Sequence, residues 1–428
     1  MVAARAGNVP AVQFFSTHAG SIAGFEEAVS LPLFAVQAGR ADLLGALLTV
    51  TGVDTGAVDF HGNTATLIAA GHRDSALLSA RVTQPGINVN ALNHEGCFAL
   101  LNAVQHGLPD HVRQLLTVPD IDINADDHHG VSALLLAVSQ DRSDIASLLL
   151  HSTGIDVNIR DLRDATPLIM AAQTGNMPIA RALLAFANLD INAADNCGMT
   201  ALMHAINHEY SELVTLLLAK PGIDINLRDT EEASALIWAA GKGNVGILRA
   251  LNAIPNREIN TVDEHGVTPL IQASMQGHQQ AVRLLVKLND VNLNAADDQG
   301  QTALMYALEL NHGEITHALL RQSRLDVNLR DLSGNTALAI AVRKGRTGML
   351  PGLLRAQGIE INSGNNEGLT PLIMAVIRHD HEAVRLLLAA RKIDVNRRDY
   401  NGASALLLAT NEDHPAILQR ASKSISPT

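Results

Sequence analysis

The stretch DEHGVTPLIQASMQGHQQAVRLLVKLNDVNLNAA, residues 263–296, decides the fold of this chain, because its pattern recurs every 34 residues along the sequence. The most regular marker is a Thr or Ser, found at Ser30, Thr64, Ser132, Thr166, Thr200, Ser234, Thr268, Thr302, Thr336, Thr370 and Ser404. In one repeat Phe98, which has no hydroxyl, occupies the marker position. We number the repeats 1 to 12 by this marker. Self-similarity at this period is typical of a solenoid, in which each repeat buries its apolar face only against its neighbours.

One repeat predicts two short helices joined by turns. Gly266 suits a turn position with positive φ, Thr268 suits a helix N-cap, and Pro269 suits the first helical position. The first helix then runs to Gly277, and a second helix places Val282, Leu284 and Leu285 on one apolar face. Neither helix is long enough to be stable alone. The predicted fold class is therefore all-α, with stacked helix-turn-helix units and short β-hairpin loops.

The repeat resembles the ankyrin repeat. Thr166-Pro167-Leu168, followed by Ala171-Ala172 and Gly175, matches the first half of the family pattern, and 394–399, DVNRRD, matches its end. The resemblance covers practically the whole chain and implies an ankyrin-repeat solenoid. One position departs from the family, because its usual His, three residues after the marker, is apolar here. It is occupied by residues such as Ile169, Met203, Ile237, Ile271 and Met305, so we expect apolar packing where the family forms a hydrogen bond.

The periodic pattern also predicts the organisation of the chain. Residues 1–29 are expected to form a partial N-terminal repeat or cap, although the chain could equally begin inside a longer array. Residues 30–423 form the predicted array of twelve 34-residue units. The last unit ends in polar residues, as a C-terminal cap requires. Residues 424–428 are expected to be a disordered tail.

Composition excludes several classes of protein. The net charge of −12 argues against binding to nucleic acid or to an anionic membrane surface. Two cysteines are too few for a disulfide framework, and the N-terminal residues lack the apolar block of a secretory signal. We therefore expect a monomer in the cytoplasm, or one delivered into a host cell without a classical signal peptide.

The motifs that could carry chemistry have simpler interpretations. Residues 241–246, GKGNVG, spell a dinucleotide-binding fingerprint, but they follow a predicted helix and not the strand that the fingerprint requires. His204 and His208 lie one helical turn apart without a third metal ligand. No nucleophile, base and oxyanion donor converge in the repeat pattern. The sequence predicts neither an enzyme nor a cofactor or metal site.

The resemblance implies where a protein partner would bind. Ankyrin repeats contact partners through their hairpin tips and the exposed end of the first helix. In repeats 5 to 9 these positions hold Arg163, Glu231, Glu264 and His265 on tips, with His208, Lys242 and Gln276 on helices. Trp238, the only tryptophan, lies nearby, with His204 and Tyr306 in equivalent places of other repeats. The alternative for Trp238 and Tyr306 is that they pack between adjacent first helices.

The predicted function is a non-enzymatic scaffold that binds a protein partner through the concave face and hairpin tips. The alternative is the targeting segment of a larger enzyme, or of an injected bacterial effector acting on host proteins. The resemblance also implies Asn hydroxylation, because the family can be modified at an Asn that follows a Leu by eight residues. Asn226 follows Leu218 in this way, and Asn396 follows Leu388.

Overall fold

The computed structural model describes residues 31–49, 54–84 and 87–411. The predicted N-terminal cap at 1–29, the polar end of repeat 12 and the tail at 424–428 lie outside the described residues.

The described residues contain 23 α-helices and almost no strand, with two helices in each of repeats 1 to 11 and the first helix of repeat 12. The first twelve are α1 (Leu31–Gln37), α2 (Ala41–Leu48), α3 (Ala65–Gly71), α4 (Ser75–Val82), α5 (Ala99–Gln105), α6 (Pro109–Leu115), α7 (Ala133–Ser139), α8 (Ser143–Leu150), α9 (Pro167–Thr174), α10 (Met177–Leu183), α11 (Ala201–Asn207) and α12 (Ser211–Leu218). The others are α13 (Ala235–Lys242), α14 (Val245–Asn252), α15 (Pro269–Met275), α16 (Gln279–Leu285), α17 (Ala303–Glu309), α18 (Gly313–Leu320), α19 (Ala337–Arg343), α20 (Leu350–Leu354), α21 (Pro371–Ile377), α22 (His381–Leu388) and α23 (Ala405–Asn411). A short 3₁₀ helix (Thr347–Met349) precedes α20.

The chain divides into two compact units. The first comprises the residues up to Ala205 together with Lys220–Ile223, and the second comprises Ile206–Ala219 together with the residues from Asp224 onward. Within each unit, the first helix of a repeat packs on its own second helix and on the first helices of adjacent repeats. Second helices likewise pack on second helices. Each unit is therefore a stack with one layer of first helices and one layer of second helices.

The marker hydroxyl begins the first helix, as the sequence predicts. The Thr268 hydroxyl accepts a hydrogen bond from the backbone N–H of Ile271, at 3.3 Å, and the same bond recurs at Thr64, Ser132, Thr166, Thr200, Thr302, Thr336, Thr370 and Ser404. Ser234 is an exception, because its buried hydroxyl has no partner among the described residues. The cap satisfies one of the free N–H groups at each helix start.

A recurring turn forms the loop before the first helix, built on an Asp in most repeats and on Asn93 or Asn365 in two. In repeat 8, the Asp263 side chain accepts hydrogen bonds from the backbone N–H groups of His265 and Val267, both at 2.9 Å. Gly266 has a φ of 77°, and where Asp164 or Glu232 replaces this glycine the residue still takes a φ near 60°. The predicted β-hairpin loops reduce to isolated antiparallel bridges across this turn, such as Ala296 with Thr302.

The interior is built from small and aliphatic side chains. The alanine five residues after each marker is fully buried in all twelve repeats, from Ala35 to Ala409. A side chain of this size lets neighbouring first helices approach closely. Ile169, Met203 and Ile271 are at most 1% exposed, which confirms the expected apolar packing at the family's His position. Leu284 is only half-buried, unlike Val282 and Leu285.

Hydrogen bonds between repeats supplement this packing. Nine asparagines that lie eight residues before a marker each donate a side-chain hydrogen bond to a backbone carbonyl 30 residues later, at 2.7–3.1 Å. We call this set the asparagine ladder: Asn90, Asn124, Asn158, Asn192, Asn226, Asn260, Asn294, Asn328 and Asn362. Most of them also accept a backbone N–H from the residue 32 positions on, as Asn294 does from Asp326 at 2.8 Å. The ladder therefore ties each loop to the next one.

Candidate partner-binding surface

Three of the predicted site residues make the same contact, each with the turn aspartate of its own repeat. The indole N–H of Trp238 donates to Asp229 Oδ2 at 2.8 Å, and the Tyr306 hydroxyl donates to Asp297 Oδ2 at 2.6 Å. In the first unit, His204 Nε2 lies 2.7 Å from Asp195 Oδ2. The other oxygen of each aspartate accepts hydrogen bonds from backbone N–H groups of the turn. A side chain of the first helix thus fixes the carboxylate that shapes the tip.

The burial of these three side chains differs in a way that matters for binding. His204 is 8% exposed, whereas Trp238 and Tyr306 are half-buried and keep part of their rings at the surface. Burial, with the hydrogen bond to Asp297 and its negative charge, raises the pKa of the Tyr306 hydroxyl above its usual value. This hydroxyl therefore stays protonated and remains a donor to the carboxylate.

The predicted tip residues are exposed, and hydrogen bonds hold their backbones in register. In the second unit, the backbone N–H of Glu264 donates to the Glu231 carbonyl at 2.9 Å, and the N–H of Asp298 donates to the His265 carbonyl at 3.0 Å. The side chains of all four residues are exposed. Arg163 is an exposed tip of the first unit, and its carbonyl accepts the N–H of Asn196 at 2.9 Å.

The predicted residues at the ends of first helices are at least partly accessible. Lys242 is the last residue of α13 and is half-buried, while Gln276 directly follows α15 and is exposed. His208 directly follows α11, is exposed, and stacks on the Tyr210 ring at a centroid distance of 5.7 Å. Eight of the ten predicted partner-binding residues belong to the second unit, and the other two, Arg163 and His204, belong to the first.

Sequence reasoning missed four exposed apolar tips. Phe60 is 84% exposed and Leu162 is 73% exposed in the first unit, and Leu332 (66%) and Tyr400 (79%) are exposed in the second. All four lie four residues before a marker, where other repeats place a polar side chain such as His94, Glu264 or Asp298. An apolar residue at a position that is otherwise polar was the signal that could have found them. Exposed apolar side chains on a protruding loop are common in protein interfaces.

The two asparagines predicted to be hydroxylated lie in different surroundings. The Asn226 side chain belongs to the asparagine ladder, donating to the Asn256 carbonyl at 3.1 Å and accepting from the Glu258 N–H at 3.0 Å. Asn396 is exposed, and its backbone N–H donates to Asp394.

The other candidate motifs take ordinary structural roles. Residues 241–246 span the end of α13, the turn and the start of α14, where Gly243 ends α13 with a φ of 69° and Asn244 caps α14. In the part of the chain that the structure describes, no three His, Cys, Asp or Glu side chains come together as metal ligands. None of the helices described has the length and apolarity needed to cross a membrane.

Comparison with known proteins identifies the family. The model for ankyrin repeats (3 copies) matches residues 33–161, 160–229, 222–297, 288–365 and 338–420. Since these matches cover most of the chain, this protein belongs to the ankyrin repeat family. Among solved structures it is similar to the ankyrin repeat domain of Bcl-3, a member of the IkappaB protein family, with 26% sequence identity and a TM-score of 0.47. That likeness covers 52% of this chain and 98% of the Bcl-3 chain. A search of curated proteins finds no match.

Proposed function

We propose that this protein is a non-enzymatic scaffold that binds a protein partner through its hairpin tips and the exposed parts of its first helices. Ankyrin repeats are in general protein-interaction modules. The observation that carries the proposal is the set of large apolar side chains on tips that the fold holds in place. In the second unit this surface consists of Glu231, Trp238, Lys242, Glu264, His265, Gln276, Tyr306, Leu332 and Tyr400, and we call it the tip surface.

The tip surface is organised before a partner arrives. Trp238 and Tyr306 hold the carboxylates of Asp229 and Asp297, and backbone hydrogen bonds join adjacent tips. Ordering mobile loops costs free energy on binding, so a surface that is already ordered binds more tightly for the same contacts. Exposed Trp and Tyr rings are also frequent hot spots in interfaces.

Charge favours a partner with basic residues around its contact area. The tips of repeats 7 to 9 carry the exposed side chains of Glu231, Glu232, Glu264 and Asp298. Complementary charge at the rim of an interface raises the association rate more than the final affinity. We therefore expect association at the tip surface to slow as salt concentration rises.

The test is capture of partners from the native source with wild-type protein and with a Leu332→Asp, Tyr400→Asp variant. Both side chains are exposed, so the variant should fold normally while losing the apolar contacts. We expect a specific partner on the wild-type protein and a loss of about tenfold or more in its affinity for the variant. The matched control is Thr215→Asp, because Thr215 is exposed on the second helix α12, which is neither a tip nor a first helix. Equal capture by the tip variant and the wild type would refute this surface.

Hydroxylation at Asn226 and Asn396 stays a prediction with its own test. The Asn226 side chain both donates and accepts a hydrogen bond with the loop of the next repeat. An oxygenase would therefore have to separate the two loops first. Asn396 is exposed whereas Asn226 is half-buried, so we expect Asn396 to be modified to a greater extent. Mass spectrometry of protein from cells with such an oxygenase checks this, and the absence of added oxygen at both residues would end the prediction.

A further inference from the structure

A basic groove lies in the second-helix layer of the second unit, away from the tip surface residues. It has a volume of about 740 Å³ and crosses α14, α16 and α18. Arg249, Arg283, Lys287 and Arg321 line it, and Glu314 is the only carboxylate among its lining residues. We call it the basic groove. Four cations facing one carboxylate stand out in a chain whose net charge is −12.

Three of the four cations have no carboxylate partner within the described residues. Arg283 donates to Glu314 Oε2 at 2.9 Å, so its charge is partly neutralised. Arg249, Lys287 and Arg321 are exposed and form neither an ion pair nor a side-chain hydrogen bond with any described residue. Elsewhere in this unit Arg257, Arg343 and Arg385 each have a carboxylate within 3.0 Å. The basic groove brings three such unpaired cations together along one cavity.

Apolar side chains form one part of the lining of the basic groove, beside polar ones, and we call this apolar part the floor. Val286 is 4% exposed, and Leu284 and Ala318 are half-buried between the cations. Cations above an aliphatic floor suit a ligand that carries both carboxylates and apolar side chains. Adjacent helices are about 10 Å apart, so three of them span about 20 Å, which matches about six residues of extended peptide.

We propose that the basic groove binds an extended acidic segment of a second protein, with carboxylates on the arginines and lysine and small apolar side chains on the floor. Charge complementarity selects this occupant. A nucleic acid would bring a long run of phosphates past a chain that is acidic overall, and only four cations would offset that repulsion. An anionic membrane surface would meet the same repulsion from the overall charge. This site is separate from the tip surface, so it could exist even if the tip surface binds nothing.

The probe is a fluorescein-labelled dodecapeptide that repeats Glu-Ala-Glu-Leu. Fluorescence anisotropy at 50 mM NaCl measures its binding to the protein. A peptide that repeats Lys-Ala-Lys-Leu, a 12-nucleotide single-stranded DNA and vesicles of 30% phosphatidylserine serve as comparison ligands. We expect the acidic peptide to bind at least about tenfold more tightly than each of the others, and to weaken at 500 mM NaCl. Equal or tighter binding of the DNA, the vesicles or the basic peptide would overturn the proposal.

Variants separate the basic groove from the overall charge of the protein. Arg249→Glu with Arg321→Glu should weaken the acidic peptide about tenfold or more. Arg73→Glu with Arg397→Glu changes the net charge equally at exposed positions outside the groove, and should change affinity by less than about twofold. Circular dichroism and the fluorescence of Trp238 verify that both variants are folded. Equal weakening by the two pairs would overturn the proposal.

A third variant predicts a gain of affinity, which damage to the fold would not produce. Glu314→Gln removes the only carboxylate of the basic groove and releases Arg283 from its ion pair. We expect the acidic peptide to bind about threefold more tightly to this variant at low salt. Unchanged or weaker binding would mean that charge complementarity in the groove does not determine the affinity for the acidic peptide.

Discussion

At the scale of single residues, the turn aspartates Asp195, Asp229 and Asp297 each link a tip to the helix behind it. Asp229 is 7% exposed, and its two oxygens accept hydrogen bonds from Glu231, Ala233 and Trp238. The sequence predicts a turn before the first helix, but nothing in the repeat pattern predicts the indole as a partner of the turn aspartate. Residues considered as partner contacts therefore also stabilise the tip that carries other contacts.

Replacing Asp229 tests this double role. Asp229→Ala leaves two backbone N–H groups and the indole N–H without an acceptor, so we expect a loss of about 3 kcal/mol in the free energy of unfolding. Asp229→Asn should cost less, because its amide oxygen still accepts the two backbone bonds. Urea denaturation followed by Trp238 fluorescence measures both. Asp298→Ala, at an exposed tip carboxylate, is the control and should cost under about 0.5 kcal/mol. A cost for Asp229→Ala no larger than for Asp229→Asn would contradict the account.

At the scale of elements, repeat 10 departs from the two-helix pattern. Its second helix is divided into a 3₁₀ helix (Thr347–Met349) and α20, whereas α18 and α22 each run for eight residues without interruption. Pro351 explains the break, because its ring has no N–H and crowds the carbonyl of the preceding turn. Gly348 and Gly352 weaken the same segment, since glycine loses more backbone freedom on folding than other residues.

Restoring the missing backbone donor should repair this helix. In Pro351→Ala, the N–H of residue 351 can bond to the preceding turn, and residues 347–354 should then form one helix. We expect a gain of about 1–2 kcal/mol in local stability, reduced by the greater freedom of the unfolded chain. Amide hydrogen exchange of residues 349–354 should slow, and the matched change Pro269→Ala at the first position of α15 should not slow exchange anywhere. Unchanged exchange in Pro351→Ala would mean that Pro351 does not cause the break.

At the scale of the whole molecule, stability depends on contacts between neighbouring repeats. No helix is longer than eight residues in the described chain, and isolated helices of this length do not persist in water. Within each unit, adjacent repeats are held together by buried alanine and aliphatic side chains, by backbone bonds between tips, and by the asparagine ladder. Cooperativity in such an array arises from these nearest-neighbour interfaces.

Breaking one step of the asparagine ladder should weaken that coupling. Asn294→Ala removes a bond to the Arg324 carbonyl and another from the Asp326 N–H, between the loops that precede repeats 9 and 10. We expect a cost of about 2 kcal/mol and partial separation of the unfolding transitions seen by Trp238 fluorescence and by far-UV circular dichroism. The tryptophan reports repeat 7 alone, whereas circular dichroism reports all helices. Arg397→Ala is the control, and transitions that stay as coincident as in the wild type would contradict the coupling role.

Much of the fold was predictable from the sequence because its determinants are local. A Thr or Ser cap, a turn with positive φ and a small buried residue each act within a few positions. The cap residue recurs eleven times and the buried alanine twelve times. Arg81 shows the limit of such reasoning. It occupies the second-helix position that Leu115 and Leu149 hold in the next two repeats, yet it is 2% exposed and donates to the Thr66 hydroxyl and the Thr55 carbonyl. Burial lowers the pKa of its guanidinium group. No periodic rule predicts where such a side chain finds acceptors.

The sequence by itself determined the repeat, its length, its helices and its family, since periodic apolar and capping positions specify a stack without reference to distant residues. Only the tertiary structure decided which side chains from different loops and helices meet. The contacts of Trp238 with Asp229, the steps of the asparagine ladder and the basic groove all join residues brought together by folding. Their distances depend on how one helix packs on the next, and the order of residues along a chain does not encode that geometry directly.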